Sequence, residues 1–157
     1  LSTKGTGDFM RELSAKYGYS DITQFLVEYV SVHPEVDHQV DEEQRIFGKE
    51  NDDFVLDAHL GFHFVPDSIR ICLICDLEEA ARRILDDSGR TTETATNIKD
   101  SIVSSQKRRD TMHENFMSLY QVDIDDHSNF DLVLDTTSLS SDEVFERASA
   151  FIDLQRT

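Results

Sequence analysis

Apolar residues recur at helical spacing through the first fifty residues of the chain. Phe9, Leu13 and Tyr17 share one face of a predicted helix over 8–17, and Gly18 is placed to end it. This part of the chain has almost no strand pattern, so we expect it to be helical. Two further helices are predicted, over about 21–31 and 34–47.

The apolar pattern becomes continuous rather than helical after this region. Short, nearly unbroken apolar runs predict strands buried on both faces, as in a parallel sheet. Ser140 and Glu143 form a capping box that predicts the start of a last helix. The predicted strands are 54–57, 69–75 and 132–135, and the other predicted helices are 77–86, with Asp76 as its N-cap, and 92–120.

This alternation of strands and helices predicts the fold class. It is typical of βαβ units, in which helices flank a parallel sheet. We therefore expect an α/β fold, with residues 1–157 in a single domain. Ligands bind at the carboxyl ends of strands in such sheets, and Asp57 and Asp76 end two of the predicted strands.

The charge of the chain narrows the class of ligand. A net charge of −17, from 32 acidic and 15 basic residues, argues against nucleic-acid binding, which needs a basic face. The region 82–109 is the exception, because it holds seven basic residues and only four acidic ones. A local positive region in an acidic chain indicates a small anionic ligand.

Apolar runs and cysteines indicate the compartment. No apolar run is long enough to span a membrane, and the first residues lack the apolar core of a signal peptide. Cys72 and Cys75 lie three apart in a predicted strand, so their side chains point to opposite faces. We expect two buried thiols in a reducing compartment, the cytoplasm, rather than a redox or metal pair.

Six segments carry a resemblance to a known family. In order along the chain they resemble the motifs of archaeal-type cytidylate kinases, and together they span essentially the whole sequence. The first contains the run Gly5-Thr6-Gly7-Asp8, followed by Arg11. The segments are 5–12, 34–44, 55–61, 76–84, 107–126 and 128–136.

The resemblance implies a fold and a reaction. The fold is a P-loop kinase-like parallel sheet with a helical insertion that binds the nucleoside monophosphate, here 8–50, and a lid, here 87–112. The reaction is transfer of the γ-phosphoryl group of ATP to CMP or dCMP with Mg²⁺. The family also has a glycine-rich phosphate-binding loop on its first strand, and no segment of this chain matches it. We expect that loop to precede Leu1 in the full-length protein.

The resemblance also assigns candidate site residues. Arginines suit phosphoryl transfer because a guanidinium binds phosphate oxygens in a bidentate manner. For each residue a structural role stays open: a solvated helix face for Arg11 and the lid cations, an ion pair with Asp86 or Asp87 for Arg83, and a helix cap for Asp8. The implied substrate-binding residues are Asp8, Arg11, Asp57 and His59, the implied catalytic residues are Arg83, Arg108 and Arg109, and Arg90 is the implied donor-side cation.

His59 stands at a position where the family usually has an arginine. We expect no metal bound by protein side chains alone, because His59 and His63 lack a third ligand and 123–126 lacks the glycine and glutamate of a calcium loop.

The alternatives to the kinase are a catalytically inactive nucleotide-binding module and an acidic helical interaction protein. Free nucleotides are the expected partners, without nucleic acid or membrane; the oligomeric state stays open, with a monomer preferred.

Overall fold

The computed structural model describes residues 2–33, 35–87 and 97–156. The chain divides into two compact units, Leu1–Ser68 and Ile69–Thr157. Each unit contains one two-stranded parallel sheet and several helices. The structure therefore has the mixed helical and parallel-strand composition that the sequence predicts, in two small sheets rather than one.

In the first unit, two strands that are separated in sequence by three helices form one parallel sheet. Strand β1 pairs in parallel with β2, and Gly5 lies opposite Asp57 at their carboxyl ends. The predicted strand at 54–57 is confirmed, whereas β1 and the short helix α4 have no counterpart in the prediction. The elements are β1 (Ser2–Gly5), α1 (Thr6–Lys16), α2 (Ile22–Glu28), a 3₁₀ turn (Val30–Val32), α3 (Glu35–Glu50), β2 (Phe54–Asp57) and α4 (Gly61–Phe64).

The helices of the first unit enclose its core. Phe9 and Leu13 of the predicted apolar face are buried, whereas Tyr17 is 37% exposed because the helix has already ended there. Gly18 follows with a φ of +85°, a conformation that favours glycine, so its predicted role at the end of α1 is confirmed. The buried cluster consists of Phe9, Leu13, Phe25, Val36 and Val40.

A close approach inside the first unit depends on Gly48 of α3. A Cβ atom at this position would lie 2.6 and 2.8 Å from the two methyl carbons of Val65. These distances are far inside van der Waals contact, so the segment after α4 packs against α3 only because position 48 has no side chain.

The second unit pairs β3 with β4 in parallel, with Ile71 opposite Leu132 and Ile74 opposite Asp135. The caps predicted at Asp76 and at Ser140 with Glu143 are confirmed. The predicted strand 69–75 is shorter than expected and its Leu73 is 56% exposed, which corrects the expectation of a buried strand. The elements are β3 (Ile71–Ile74), α5 (Leu77–Asp86), α6 (Ile98–Tyr120), a 3₁₀ turn (His127–Asn129), β4 (Leu132–Asp135) and α7 (Ser141–Gln155).

The two cysteines and the end of helix α6 also lie in the second unit. Both cysteines are free and only half-buried, and burial raises the pKa of the Cys72 thiol. Helix α6 ends at Gln121, which adopts the left-handed conformation with a φ of 56°. No helix in the described part of the chain combines the length and apolar character needed to cross a membrane.

An arginine–carboxylate pair fixes the start of the second sheet. The Asp131 carboxylate accepts hydrogen bonds from Arg70 through the backbone N–H at 2.8 Å, Nε at 3.0 Å and Nη2 at 2.6 Å. The backbone N–H groups of Asp131 and Leu132 in turn donate to the Arg70 carbonyl. The guanidinium bonds hold the pKa of Asp131 below its ordinary value of 3.8.

We expect Gly48→Ala to lower the free energy of unfolding by about 1 kcal/mol. Overpacking costs roughly 1–3 kcal/mol, which outweighs the roughly 1 kcal/mol that alanine gains over glycine within a helix. Denaturant unfolding checks the change. Val65→Ala removes the methyl groups, so Gly48→Ala should cost less stability in the Val65→Ala background than in the wild type. An equal cost in both backgrounds would contradict this packing.

We expect Asp131→Asn to destabilise the protein at pH 7 by about 1 kcal/mol, because it removes a bidentate charged pair at a partly exposed site. A lowered carboxyl pKa contributes stability above the ordinary value of 3.8 and loses it as the pH falls through the folded-state value. The difference from wild type should therefore shrink as the pH falls below 3.8. Asp153→Asn, an exposed charge on α7, serves as the control, and a difference that persists in acid would reject the assignment.

Candidate functional site

The carboxyl-terminal edge of β1 and β2 brings two of the predicted site residues, Asp8 and Asp57, next to Gly5. Gly5 ends β1 opposite Asp57, and a Cβ on Gly5 would lie 3.6 Å from the Asp57 carbonyl oxygen and 3.6 Å from Oδ2 of Asp8. Helix α1 begins at the next residue, Thr6. Asp8 and Asp57 therefore meet at the edge where parallel sheets bind ligands.

Asp8 connects this turn to Arg11. Its Oδ2 accepts a hydrogen bond from the Gly5 N–H at 2.8 Å, and its Oδ1 accepts one from Nη1 of Arg11 at 2.7 Å. Gly5 is the N-cap of α1 and Asp8 is its third residue, so the carboxylate is the acidic partner of a capping box rather than the predicted N-cap, and it also orients the guanidinium. The Arg11 side chain is 65% exposed and lies over Gly7, whose added Cβ would be 3.6 Å from Nη1. This geometry offers a cation and a helix amino terminus to one anionic group.

His59 lies on the connection that follows β2. It is exposed, as Asp57 is, and the buried Leu60 comes next before α4 begins. An exposed imidazole two residues after the strand is accessible to a ligand at this edge.

A cleft that the sequence interpretation missed adjoins Arg11. It has a volume of about 290 Å³, and its walls combine the guanidinium, hydroxyl groups and apolar carbons. Ser14 is buried and donates weakly to the Tyr19 carbonyl at 3.5 Å. The spacing of 11, 14 and 15 on one helix face would have indicated this surface. The lining residues are Arg11, Ser14, Ala15, Tyr19, Ser20 and Ile22.

In the second unit, Arg83 forms bonds within the protein. Its Nε donates to Oε1 of Glu79 at 2.8 Å. Its Nη2 donates to the carbonyl oxygens of Thr136, Thr137 and Leu139 at 2.9, 3.1 and 3.3 Å. The ion pair proposed with Asp86 or Asp87 is formed instead with Glu79, whose pKa is lowered by Arg82 and then by Arg83.

The basic run of the predicted lid lies on the solvent side of α6. Lys107, Arg108 and Arg109 are exposed, and the guanidinium of Arg109 pairs with Asp125. Arg90 and the rest of 88–96 fall outside the described residues. Arg109 is therefore a cation held by a carboxylate of the segment that follows its own helix.

One group of side chains in the described ranges has the spacing of a metal site. His113, Asp123 and Asp125 bring ligating atoms within 4.8 Å of one another. Asp123 Oδ1 already contacts His113 Nε2 at 3.1 Å and accepts a hydrogen bond from the Asp125 N–H at 2.8 Å. The Asp125 carboxylate forms an ion pair with the Arg109 guanidinium. Mg²⁺ prefers an octahedron of oxygen atoms, so this set does not fit the magnesium of a phosphoryl transfer.

Comparisons with known proteins relate these edges to function. No protein-family model matches the chain. The S-adenosylmethionine-dependent nucleotide dehydratase of Lacinutrix mariniflava is 32% identical over 142 residues, which cover 88% of this chain but only 28% of that protein.

Two archaeal enzymes match over most of their length. The cytidylate kinase of Pyrobaculum aerophilum is 31% identical over 142 residues, covering 89% of this chain and 72% of that enzyme. The cytidylate kinase of Pyrococcus furiosus is 29% identical over 171 residues, covering 98% of this chain and 85% of that enzyme. The similarity includes the edge of β1 and β2, since 98% of this chain is aligned with the Pyrococcus furiosus enzyme.

We expect Asp8→Ala to lower the free energy of unfolding by about 1 kcal/mol, because the helix cap and the Arg11 ion pair are lost together. Arg11→Ala removes only the ion pair and should cost no more than a few tenths of a kcal/mol, roughly, at this exposed position. Urea unfolding of the two variants separates the contributions. Equal losses in both variants would contradict the capping role of Asp8.

Proposed function

This chain belongs to the cytidylate kinase family, and on this premise we propose that it acts in the transfer of the γ-phosphoryl group of ATP to CMP or dCMP. The observation that carries the proposal is the edge of β1 and β2, where Asp8 holds Arg11 beside the start of α1. A fixed guanidinium next to a helix amino terminus suits a nucleoside monophosphate. The relatives named cytidylate kinase support that substrate class.

At the acceptor edge, the proposed roles follow from charge. Arg11 binds the phosphate of the acceptor, and His59 donates a further hydrogen bond to it. His59 holds this phosphate less strongly than an arginine would, because a neutral imidazole has one donor and no charge. Asp57 either positions the acceptor or binds Mg²⁺ through water, since its exposed carboxylate ends β2 at the same edge.

Phosphoryl transfer itself requires positive charge around the migrating group. The reaction depends on positioning and on electrostatic stabilisation more than on covalent chemistry by the protein. Arg108 and Arg109 of α6 are the proposed cations, and Arg90 is proposed on the donor side. Arg83, to which the family resemblance assigns a catalytic role, is directed instead at Glu79 and at backbone carbonyl oxygens. Arg109 forms an ion pair with Asp125 in the conformation described. This ion pair has to break before Arg109 can contact a phosphate.

The donor nucleotide requires parts beyond these residues. We propose that the fold is that of the P-loop kinases, and that the glycine-rich loop binding the ATP phosphates belongs to the full-length protein. The exposed Asp57 carboxylate is the group that would hold Mg²⁺ through water, and the ion would supply positive charge to the phosphates of ATP.

A second candidate function follows from the match to the nucleotide dehydratase. A segment of that protein, 28% of its length, resembles nearly all of this chain. A kinase of this type would then form part of a longer protein that also modifies nucleotides in an S-adenosylmethionine-dependent reaction. Mass spectrometry of nucleotides incubated with the full-length protein and S-adenosylmethionine distinguishes this candidate, because dehydration removes one water.

We expect the full-length protein to phosphorylate CMP and dCMP in preference to AMP and GMP in a coupled assay with ATP. Arg11→Ala should lower kcat/KM for CMP by about 100-fold, because a charged phosphate contact is lost. Lys16→Ala, which removes an exposed cation from the same helix, is the matched control and should have little effect.

Three outcomes would redirect the proposal. Equal rates on purine monophosphates would assign another acceptor. Nucleotide binding without transfer would favour the inactive module, and no binding of any nucleotide would favour the acidic interaction protein.

A further inference from the structure

The Arg83 guanidinium joins two segments that are far apart in sequence. It extends from α5 to the carbonyl oxygens of Thr136, Thr137 and Leu139, which lie 53 to 56 residues further along the chain. We call residues 136–140 the β4–α7 loop, because they connect Asp135 at the end of β4 to the start of α7. Three carbonyl groups of this loop therefore converge on one side chain.

The amide side of the same loop is fixed by other partners. Thr136 donates its N–H and its hydroxyl to the Ile74 carbonyl at 2.8 and 3.0 Å. Thr137 donates its N–H to Asp135 at 2.9 Å, and its hydroxyl oxygen accepts the Asp76 N–H at 2.9 Å. With Arg83 on the carbonyl side, the loop is bonded on both sides and is pinned to the ends of β3 and β4.

The charge of Arg83 is also engaged. Glu79, whose side chain is only 18% exposed, shares its carboxylate between Arg83 on Oε1 and Arg82 on Oε2. A guanidinium has five N–H donors, and those of Arg83 Nε and Nη2 are directed at the protein. These contacts fit an arginine that fixes the backbone conformation of the loop better than an arginine that binds a phosphate.

The pinned loop lies where a nucleotide would bind. Ile74 and Asp135 are opposite each other at the carboxyl ends of β3 and β4, the edge at which open parallel sheets bind ligands. Under the proposed function the acceptor nucleotide binds at the edge of the first unit. We therefore assign the edge of the second unit to the donor nucleotide.

We propose that Arg83 is a positioning residue, which sets the backbone of the β4–α7 loop for the binding of the donor nucleotide and does not contact the transferred phosphoryl group. The inference rests on the proposed kinase function and replaces the catalytic role that the family resemblance assigned to Arg83.

Arg82 provides a matched control on the same helix. It binds Glu79 at 2.5 Å through Nη2 and Asp86 at 3.7 Å through Nη1, so these contacts stay within α5. Arg82→Ala thus removes the same charge and the same carboxylate partner without touching the β4–α7 loop. Arg83→Lys keeps the charge but loses the planar fork that serves several carbonyls.

The test uses the full-length protein and two measurements. Hydrogen exchange should become faster in the β4–α7 loop of Arg83→Ala and stay unchanged there in Arg82→Ala. In steady-state assays Arg83→Ala should raise KM for ATP about tenfold, since several charge-assisted hydrogen bonds are lost, with KM for CMP unchanged and kcat nearly so. Arg83→Lys should give an intermediate KM for ATP, and it stands in if the alanine variant does not fold.

Several results would overturn the inference. A fall in kcat of about 100-fold with unchanged KM for ATP would assign Arg83 to the transferred phosphoryl group. Unchanged hydrogen exchange in the β4–α7 loop of Arg83→Ala would show that Arg83 does not hold this loop. Faster exchange with a wild-type KM for ATP would show that the loop has no part in binding ATP. If the wild type transfers no phosphoryl group, the kinase proposal itself fails; ATP titration then decides, because equal affinity of wild type and Arg83→Ala contradicts the positioning role.

Discussion

Parallel pairing of four-residue strands is the constraint on which both candidate edges depend. In each unit it brings the ends of two strands that are distant in sequence to one edge, Gly5 beside Asp57 and Ile74 beside Asp135. Parallel strands need a crossover connection, and in both units helices provide it. In the first unit this edge places Asp8 in the first turn of α1, where free N–H groups and caps are concentrated.

Carboxylates organise the arginines of this acidic chain. Asp8 holds Arg11, Glu79 holds Arg83, and Asp125 holds Arg109. Each pair is partly exposed, so its net contribution to stability is small. What the pairs provide is orientation, because a side chain with many rotamers is limited to a few of them. The acidic residues of this chain therefore determine where its arginines point.

Local signals in the sequence predicted much of the fold. The caps at Asp76 and Ser140 were predictable because their hydrogen bonds span two or three residues. The strands 54–57 and 132–135 were predictable because each begins with three consecutive apolar residues. Strand β1 was not, since Ser2-Thr3-Lys4-Gly5 is polar and becomes a strand only by pairing with β2. The carbonyl contacts of Arg83 were equally hidden, because no local pattern relates residue 83 to residues 136–139. The pairing of Asp8 with Arg11, in contrast, follows from helical spacing of three residues.

The left-handed residue Gln121 determines how the chain leaves helix α6. After it, Asp123 contacts His113 and Asp125 contacts Arg109, so an advance of two residues along the loop matches a return of four residues along the helix. The chain turns between the two carboxylates, because the Asp123 side chain accepts the Asp125 N–H at 2.8 Å and the Asp123 carbonyl accepts the Asp126 N–H at 3.4 Å. The register of this turn against α6 therefore depends on the number of residues in it. A single inserted residue between 121 and 125 would put both carboxylates out of step with their partners, so this segment should tolerate changes of side chain far better than changes of length.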